Sequence, residues 1–232
     1  MMQYLDLFSF AVLPYVAIFV FLIVTIQRYR RKAYTYSSLS SQFLENQYHF
    51  WGLVPFHYGI LTVLAGHVVA FLVPRSILMW NQVPLRLYIL EVSALAFGML
   101  ASVGIVNIIV RHAANARSRI VTSPVDWVVY GCLLFQFSTG IGIAIFHGWG
   151  SSWFASTLSP YLWSLVKFRP ALEYVIGLPF LAKLHIITAY LLILFFPFTR
   201  LVHVLVIPNP YLWRRHQVVR WYWNRKQIRQ IL

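Results

Sequence analysis

Four histidines stand in otherwise apolar stretches of the chain, His57 and His67 in PFHYGILTVLAGHVV, His185 and His203 in KLHIITAYLLILFFPFTRLVHV. An ionisable side chain in an apolar span is costly, so it turns toward the interior of a bundle and takes a partner there. Two such residues on each of two segments point to paired sites rather than to four isolated ones. Neutral imidazole is a good ligand for iron, and two axial imidazoles leave a haem no open position for oxygen or substrate. Such a centre passes single electrons and does little else. The expected cofactors are therefore two b-type haems, with His57, His67, His185 and His203 as the metal ligands. Cys132 is the one cysteine, and no Cys-x-x-Cys-His motif is present. That count excludes an intrachain disulfide, covalent haem attachment, iron–sulfur ligation and thiolate zinc sites.

Elements that could hold these residues follow from composition. Of the 232 residues, 60% are hydrophobic and only 10% charged, whereas a soluble domain carries about a quarter charged residues. The chain is expected to be an all-α integral membrane protein. A membrane helix needs roughly 20 mostly apolar residues, and five segments qualify, at about 5–27, 53–73, 85–110, 125–146 and 181–207. The first begins with Asp6 and ends in Arg28, Arg30, Arg31 and Lys32, a stop-transfer pattern rather than a cleaved leader. With the N-terminus outside and the C-terminus inside, most of the 19 Lys and Arg residues fall on the inner face, as the positive-inside rule requires. The net charge of +14 thus reads as loops facing anionic lipid, and nucleic acid is not an expected partner. The outer stretch 148–180 contains Trp149, Trp153, Tyr161, Trp163 and Tyr174, and is expected to form a short interfacial helix. Residues 1–210 form the membrane domain. The tail 211–232 alternates aromatics with arginines and is either a membrane-surface anchor or a docking surface for a cytoplasmic partner.

This topology fixes which histidines can meet. The second span runs inside to outside and the fifth runs back, so His57 pairs with His203 near the inner face and His67 with His185 near the outer. On a straight helix, eighteen residues are five full turns, so His185 and His203 share a face, while ten residues turn His57 and His67 about 80° apart. The rise does not match: about 15 Å separates the ligands on the second span and about 27 Å those on the fifth. A bend at Pro197 is one means of absorbing the difference. Gly59 and Gly66 beside the ligands would let a flat macrocycle approach the backbone. His49, His112, His147 and His216 sit at helix ends or in loops and read as solvated. Arg200, three residues before His203, is either an inner-face anchor or the partner of a haem propionate, which its fork would grip bidentately.

The same residues carry a family resemblance. YLDLF near the N-terminus, RYRRKAYTYSSLSSQFL, FHYGILTVLAGH, KLHIITAYLLILFFPFTRLVHVLVIP and YLWRRHQVVR together resemble the gamma subunit of membrane-bound respiratory nitrate reductase, a five-helix dihaem cytochrome b. The family pattern of His, PF-[ST]-R-L-[IV]-H and proline is met by His185, PFTRLVH and Pro208, and the four family ligands match His57, His67, His185 and His203. The resemblance implies quinol oxidation near the outer haem, with electrons passing inward to an iron–sulfur beta subunit and a molybdopterin alpha subunit in the cell (inner) membrane. Where family members carry a lysine near the start of the third span, the nearest basic residue here is Arg86. Arg86 and Glu91, with Gly66, are candidates for a quinol pocket; the bland alternatives are an interfacial anchor and a snorkelling ion pair. Two rival functions share the sequence features. One is a dihaem anchor of another molybdopterin or sulfur-metabolism complex, and the other is a haem-free membrane transporter.

Overall fold

The structure, a computed structural model, describes residues 2–32, 49–120 and 122–206. The basic tail and His216 lie outside the described residues. Within them the chain is helical, and five helices are long and apolar enough to cross a membrane: Tyr4–Arg31, Trp51–Leu72, Pro84–Ala114, Pro124–Phe146 and Phe180–Phe198. We number the elements α1 (Tyr4–Arg31), α2 (His49–Leu72), α3 (the short Pro74–Asn81), α4 (Pro84–Ala114), α5 (Pro124–Phe146), α6 (Ser159–Val166) and α7 (Phe180–Phe195). Large apolar side chains along the helices point outward, among them Phe19, Ile23, Leu61, Leu64, Val92 and Val103. A bundle in water could not leave them so; hydrocarbon is the solvent that suits them.

Prolines punctuate the ends. Pro74, Pro84 and Pro124 each stand in the first turn of their helix, where the missing N–H would have had no intrahelical acceptor. Ser123 and Asp126 close a capping box at the start of α5. Pro74 leaves the Ala70 carbonyl of α2 without its helical donor. The hydroxyl of Ser159 donates to that carbonyl instead, at 2.9 Å, and the indole N–H of Trp163 donates to Phe71 O at 3.0 Å.

The 148–180 stretch forms helical turns from Gly150 to Val166 and again over Glu173–Ile176. Its aromatics do not all lie at a surface. Tyr161 is wholly buried, donates to Phe10 O at 2.7 Å and accepts from the Tyr190 hydroxyl at 3.1 Å. Burial raises its phenol well above the usual range, so the donor stays protonated. Around it Phe10, Leu13, Leu158, Leu165, Val175 and Ile186 form a core joining α1, α6 and α7. The Lys183–Asp6 ion pair, 2.8 Å, ties α7 to α1 at the same end.

A second core joins α2, α4 and α5 through Phe56, Ala101, Ile105, Ile108, Val129, Leu133 and Phe137. Here Gly59 and Gly104 let two backbones touch. A Cβ on Gly59 would stand 2.5 Å from the Ala101 nitrogen, and one on Gly104 would overlap the Phe56 backbone. Gly59 therefore serves the α2–α4 crossing and not a macrocycle, contrary to the expectation from its place beside His57. The main helix contacts run α2–α4–α5–α7–α1.

The fifth span departs most from a straight helix. Its α-helical part ends at Phe195, Phe196–Phe198 is a 3-10 turn, Thr199 is extended at φ −108° and ψ 178°, and a second 3-10 segment runs Arg200–Val206. Pro197 cannot donate back to the preceding turn, so the ladder stops there. The carbonyls of Pro197 and Thr199 accept from the Arg28 guanidinium at 2.7 and 3.0 Å, and the Thr199 hydroxyl accepts from Leu201 N at 3.1 Å. The reading of 181–207 as one helix, with His185 and His203 on one face, fails for this reason.

The glycine packing gives the first prediction. Gly104→Val should push α2 from α4 and lower unfolding free energy by about 1–3 kcal/mol. Gly131→Ala, where a Cβ meets nothing within 4 Å, should raise it by about 0.5–1 kcal/mol. Thermal unfolding of both variants in one detergent checks the sign of each.

Candidate functional site

The four histidines meet in two pairs. His57 of α2 and His203 of the 3-10 segment have ring centroids 6.4 Å apart with planes at 70°. His67 of α2 and His185 of α7 have centroids 6.5 Å apart with planes at 29°. The partners are those expected from depth. His203 is not on the α-helix that carries His185: it stands on a separate 3-10 segment beyond the extended Thr199.

Three of the rings are held through Nδ1. His57 Nδ1 donates to Leu53 O at 2.8 Å, His67 Nδ1 to Val63 O at 2.8 Å, and His203 Nδ1 to Arg200 O at 2.7 Å. A carbonyl can only accept, so these three rings carry their proton on Nδ1 and a lone pair on Nε2. His185 is seated on side chains of α5. Its Nδ1 lies 3.0 Å from the Thr139 hydroxyl and its Nε2 lies 3.0 Å from the Gln136 amide nitrogen. A Cβ on Gly140 would stand 3.1 Å from the His185 ring, so this glycine lets the imidazole lie against α5. Gln136, Thr139 and Gly140 are three functional neighbours that sequence reasoning missed. Their spacing of i, i+3 and i+4 puts them on one helix face, and that polar, small stripe within an apolar helix was the available signal.

The spacing within each pair has a chemical meaning. At a metal–nitrogen distance of about 2.1 Å, and with roughly 1.1 Å from nitrogen to ring centre, two trans imidazoles put their centroids about 6.4 Å apart. Among the described residues, no three His, Cys, Asp or Glu side chains converge on one point. Each pair therefore offers two protein ligands, too few for a structural zinc site and the number a planar tetradentate macrocycle leaves to the protein. A Cβ on Gly66, next to His67, would meet nothing within 4 Å. The donor set thus fits a bis-imidazole haem at each pair.

Other candidate residues take the following places. Glu91 of α4 accepts from the backbone N–H of Ser151 at 2.8 Å and from its hydroxyl at 2.6 Å. Three residues on, Phe154 sets its ring against His67 at 5.2 Å. The turn 151–154 thereby links Glu91 to the His67 end of the bundle. Arg86 is exposed and stacks over Trp80, 5.2 Å from the ring centre. Arg200 Nη2 lies 3.1 Å from Asp126 Oδ2, and the same oxygen accepts from Ser123 N at 2.8 Å and Ser123 Oγ at 2.9 Å. Asp126 is buried, and a buried carboxylate is tolerated when it is paired and hydrogen-bonded in this way.

Of the remaining histidines, His112 corrects the solvated reading. It is 6% exposed. Its Nδ1 donates to Thr122 Oγ1, whose own proton goes to Ser118 O, and its Nε2 accepts from Arg111. The connection between α4 and α5 folds back over it, with Tyr130 at its ring edge. His147 caps α5 and is half-buried, and His49 opens α2.

Comparison with known proteins identifies the family. The chain is 32% identical over 224 residues to the respiratory nitrate reductase 1 gamma chain of Escherichia coli (strain K12), covering 94% of this chain and 99% of that one. It is 32% identical over 229 residues to the respiratory nitrate reductase 2 gamma chain of the same organism, covering 95% and 99%. Identity to the nitrate reductase gamma chain of Bacillus subtilis (strain 168) is 31% over 213 residues, covering 90% and 95%. The family model described as nitrate reductase gamma subunit matches residues 6–222, and the chain belongs to that family.

Proposed function

We propose that this chain is the membrane cytochrome b subunit of a respiratory nitrate reductase, oxidising quinol near the outer face and passing electrons inward to an iron–sulfur beta subunit and a molybdopterin alpha subunit. The observation that carries the reading is the pair of imidazole pairs, with ring centroids at 6.4 and 6.5 Å, strung along α2 at two depths in a member of this family. His57 and His203 would hold the inner haem, His67 and His185 the outer one. When bound, bis-imidazole haems supply one-electron transfer with no position open to oxygen.

The chain's own residues divide the rest of the work. The Nδ1 hydrogen bonds hold each ring in the tautomer that presents Nε2 to a metal, and they raise ligand basicity. Quinol gives up two protons for each pair of electrons, so its site needs a polar wall at the outer end. Glu91 is the proposed proton acceptor, brought toward His67 by the Ser151–Phe154 turn, with Arg86 and the open side of Gly66 as its surroundings. Arg200 is the proposed partner of an inner-haem propionate, and its ion pair with Asp126 would set the guanidinium in place. The N-terminus lies outside and the C-terminus inside the inner membrane, with the 148–180 stretch toward the outer interface and the 211–232 tail meeting the cytoplasmic partners. Releasing protons outside while electrons travel inward stores about 2.3 kcal/mol per charge for each 100 mV of membrane potential.

Three outcomes test this. Dithionite-reduced membranes should show a b-type α-band with about two haems per chain; His57→Ala or His203→Ala should remove one haem and leave the other, as should His67→Ala or His185→Ala at the opposite end. A preparation with no band at all would end the reading in favour of a haem-free membrane protein. Glu91→Gln keeps an acceptor for Ser151 but loses the charge. Quinol oxidation should fall at unchanged haem content, by roughly the 10²–10⁴-fold worth of a general base, and an unchanged rate would remove Glu91 from the chemistry. Arg200→Ala should shift the inner haem to a lower midpoint potential, because losing a nearby positive charge favours the ferric state. The outer potential should stay where it was, and a redox titration that moves neither would refute the propionate pairing.

A further inference from the structure

Four ligand rings need four Nδ1 acceptors, and three of them are peptide carbonyls within the ligand's own segment. His185 is the exception. On α7 the hydroxyl of Thr188 donates to Leu184 O, while the His185 ring leans across to α5, where Gly140 leaves room for it. Thr139 is buried, with 5% of the residue exposed, so its hydroxyl is answered within the protein. Its single proton goes to Phe135 O at 2.9 Å, shared with Gln136 O at 3.0 Å. The oxygen is then an acceptor, and the only donor 3.0 Å away on His185 is Nδ1–H. The Gln136 amide nitrogen, at 3.0 Å from Nε2, can only donate, which places the lone pair of His185 on Nε2 from the other side of the ring.

We infer that Thr139 is the positioning residue of the outer site: its hydroxyl, relayed from the α5 backbone, fixes the tautomer and the ring angle of His185, and so governs how tightly and at what potential the outer haem is held. The inference rests on the reading of these pairs as haem sites. Where a metal takes the Nε2 lone pair, the Gln136 amide has to give up that contact, whereas the Thr139 contact on the far side of the ring persists. Thr139 thus acts in both states and Gln136 in one. Loss of an acceptor behind a ligating imidazole makes the ring a poorer electron donor to the metal and loosens its orientation.

The test uses the full chain in membranes, with the inner haem as an internal control of folding. Thr139→Val keeps the side-chain shape and removes the hydroxyl; Thr139→Ser keeps the hydroxyl. Thr139→Val should weaken outer-haem retention by about 10–100-fold on washing with a haem scavenger, and should move the midpoint potential of the haem that remains upward, with inner-haem content and potential unchanged. Thr139→Ser should behave as the wild type in both measurements. Unchanged retention and potential in Thr139→Val overturn the inference, as does equal loss of both haems or a Thr139→Ser variant as defective as Thr139→Val. A wild-type chain that binds no haem sinks the haem reading first and this inference with it, whereas an intact wild type with an indifferent Thr139→Val sinks this inference alone.

Discussion

A ring nitrogen in hydrocarbon has to be answered by another group, and the structure is arranged around that demand. Leaving a polar atom unpaired away from water costs about 1–3 kcal/mol, and four imidazoles in apolar spans present eight ring nitrogens, with His67 exposed on the bundle and the other three half-buried. The Nδ1 atoms are answered by Leu53, Val63 and Arg200 carbonyls and by the Thr139 hydroxyl. The Gln136 amide nitrogen lies 3.0 Å from His185 Nε2, and the rings come together two by two with centroids 6.4 and 6.5 Å apart. α2 can carry one member of each pair because its backbone is pressed against α4 through Gly59 and Gly104 rather than against α7. The space between α2 and α7 is thereby kept for the rings.

His203 meets His57 from beyond the point where the fifth span stops being an α-helix. The free carbonyls created at that point would be intolerable in a lipid-facing segment. Arg28 of α1 donates to two of them, and the ion pair between Arg200 and Asp126 fastens the next turn to the start of α5. The same logic governs the opposite end. Pro74 strips a donor from α2, and the helical stretch around Ser159 and Trp163 supplies replacements. Each irregularity is satisfied from a distant part of the chain, by Arg28 at one end and by Ser159 and Trp163 at the other.

The spans and the pairing of the four histidines were legible because they depend on quantities a sequence displays: runs of apolar residues and the alternation of direction along consecutive spans. Helix ends were legible within a few residues where proline or a capping box marks them, as at Pro124 with Ser123 and Asp126. What escaped was contact between distant segments. Gly59 beside His57 looks like room for a ligand, and only the crossing with Ala101 shows its other use. His112 looks solvated at the end of α4 until the connection folds over it. Gln136 and Thr139 sit in FQFSTGIG with nothing local to say that His185, nearly fifty residues later, will lie on them. Glu91 read as an acid or an ion-pair member; its two Ser151 hydrogen bonds join α4 to a stretch sixty residues away.

The unequal origin of the four acceptors bears on how such a protein can change over generations. A peptide carbonyl is supplied by every amino acid, so three of the rings keep their orientation through almost any substitution at Leu53, Val63 or Arg200. The fourth depends on a hydroxyl that a single codon change can delete or extend. Drift can therefore reach the seating of one histidine pair, His67 with His185, while the pair of His57 and His203 is sheltered.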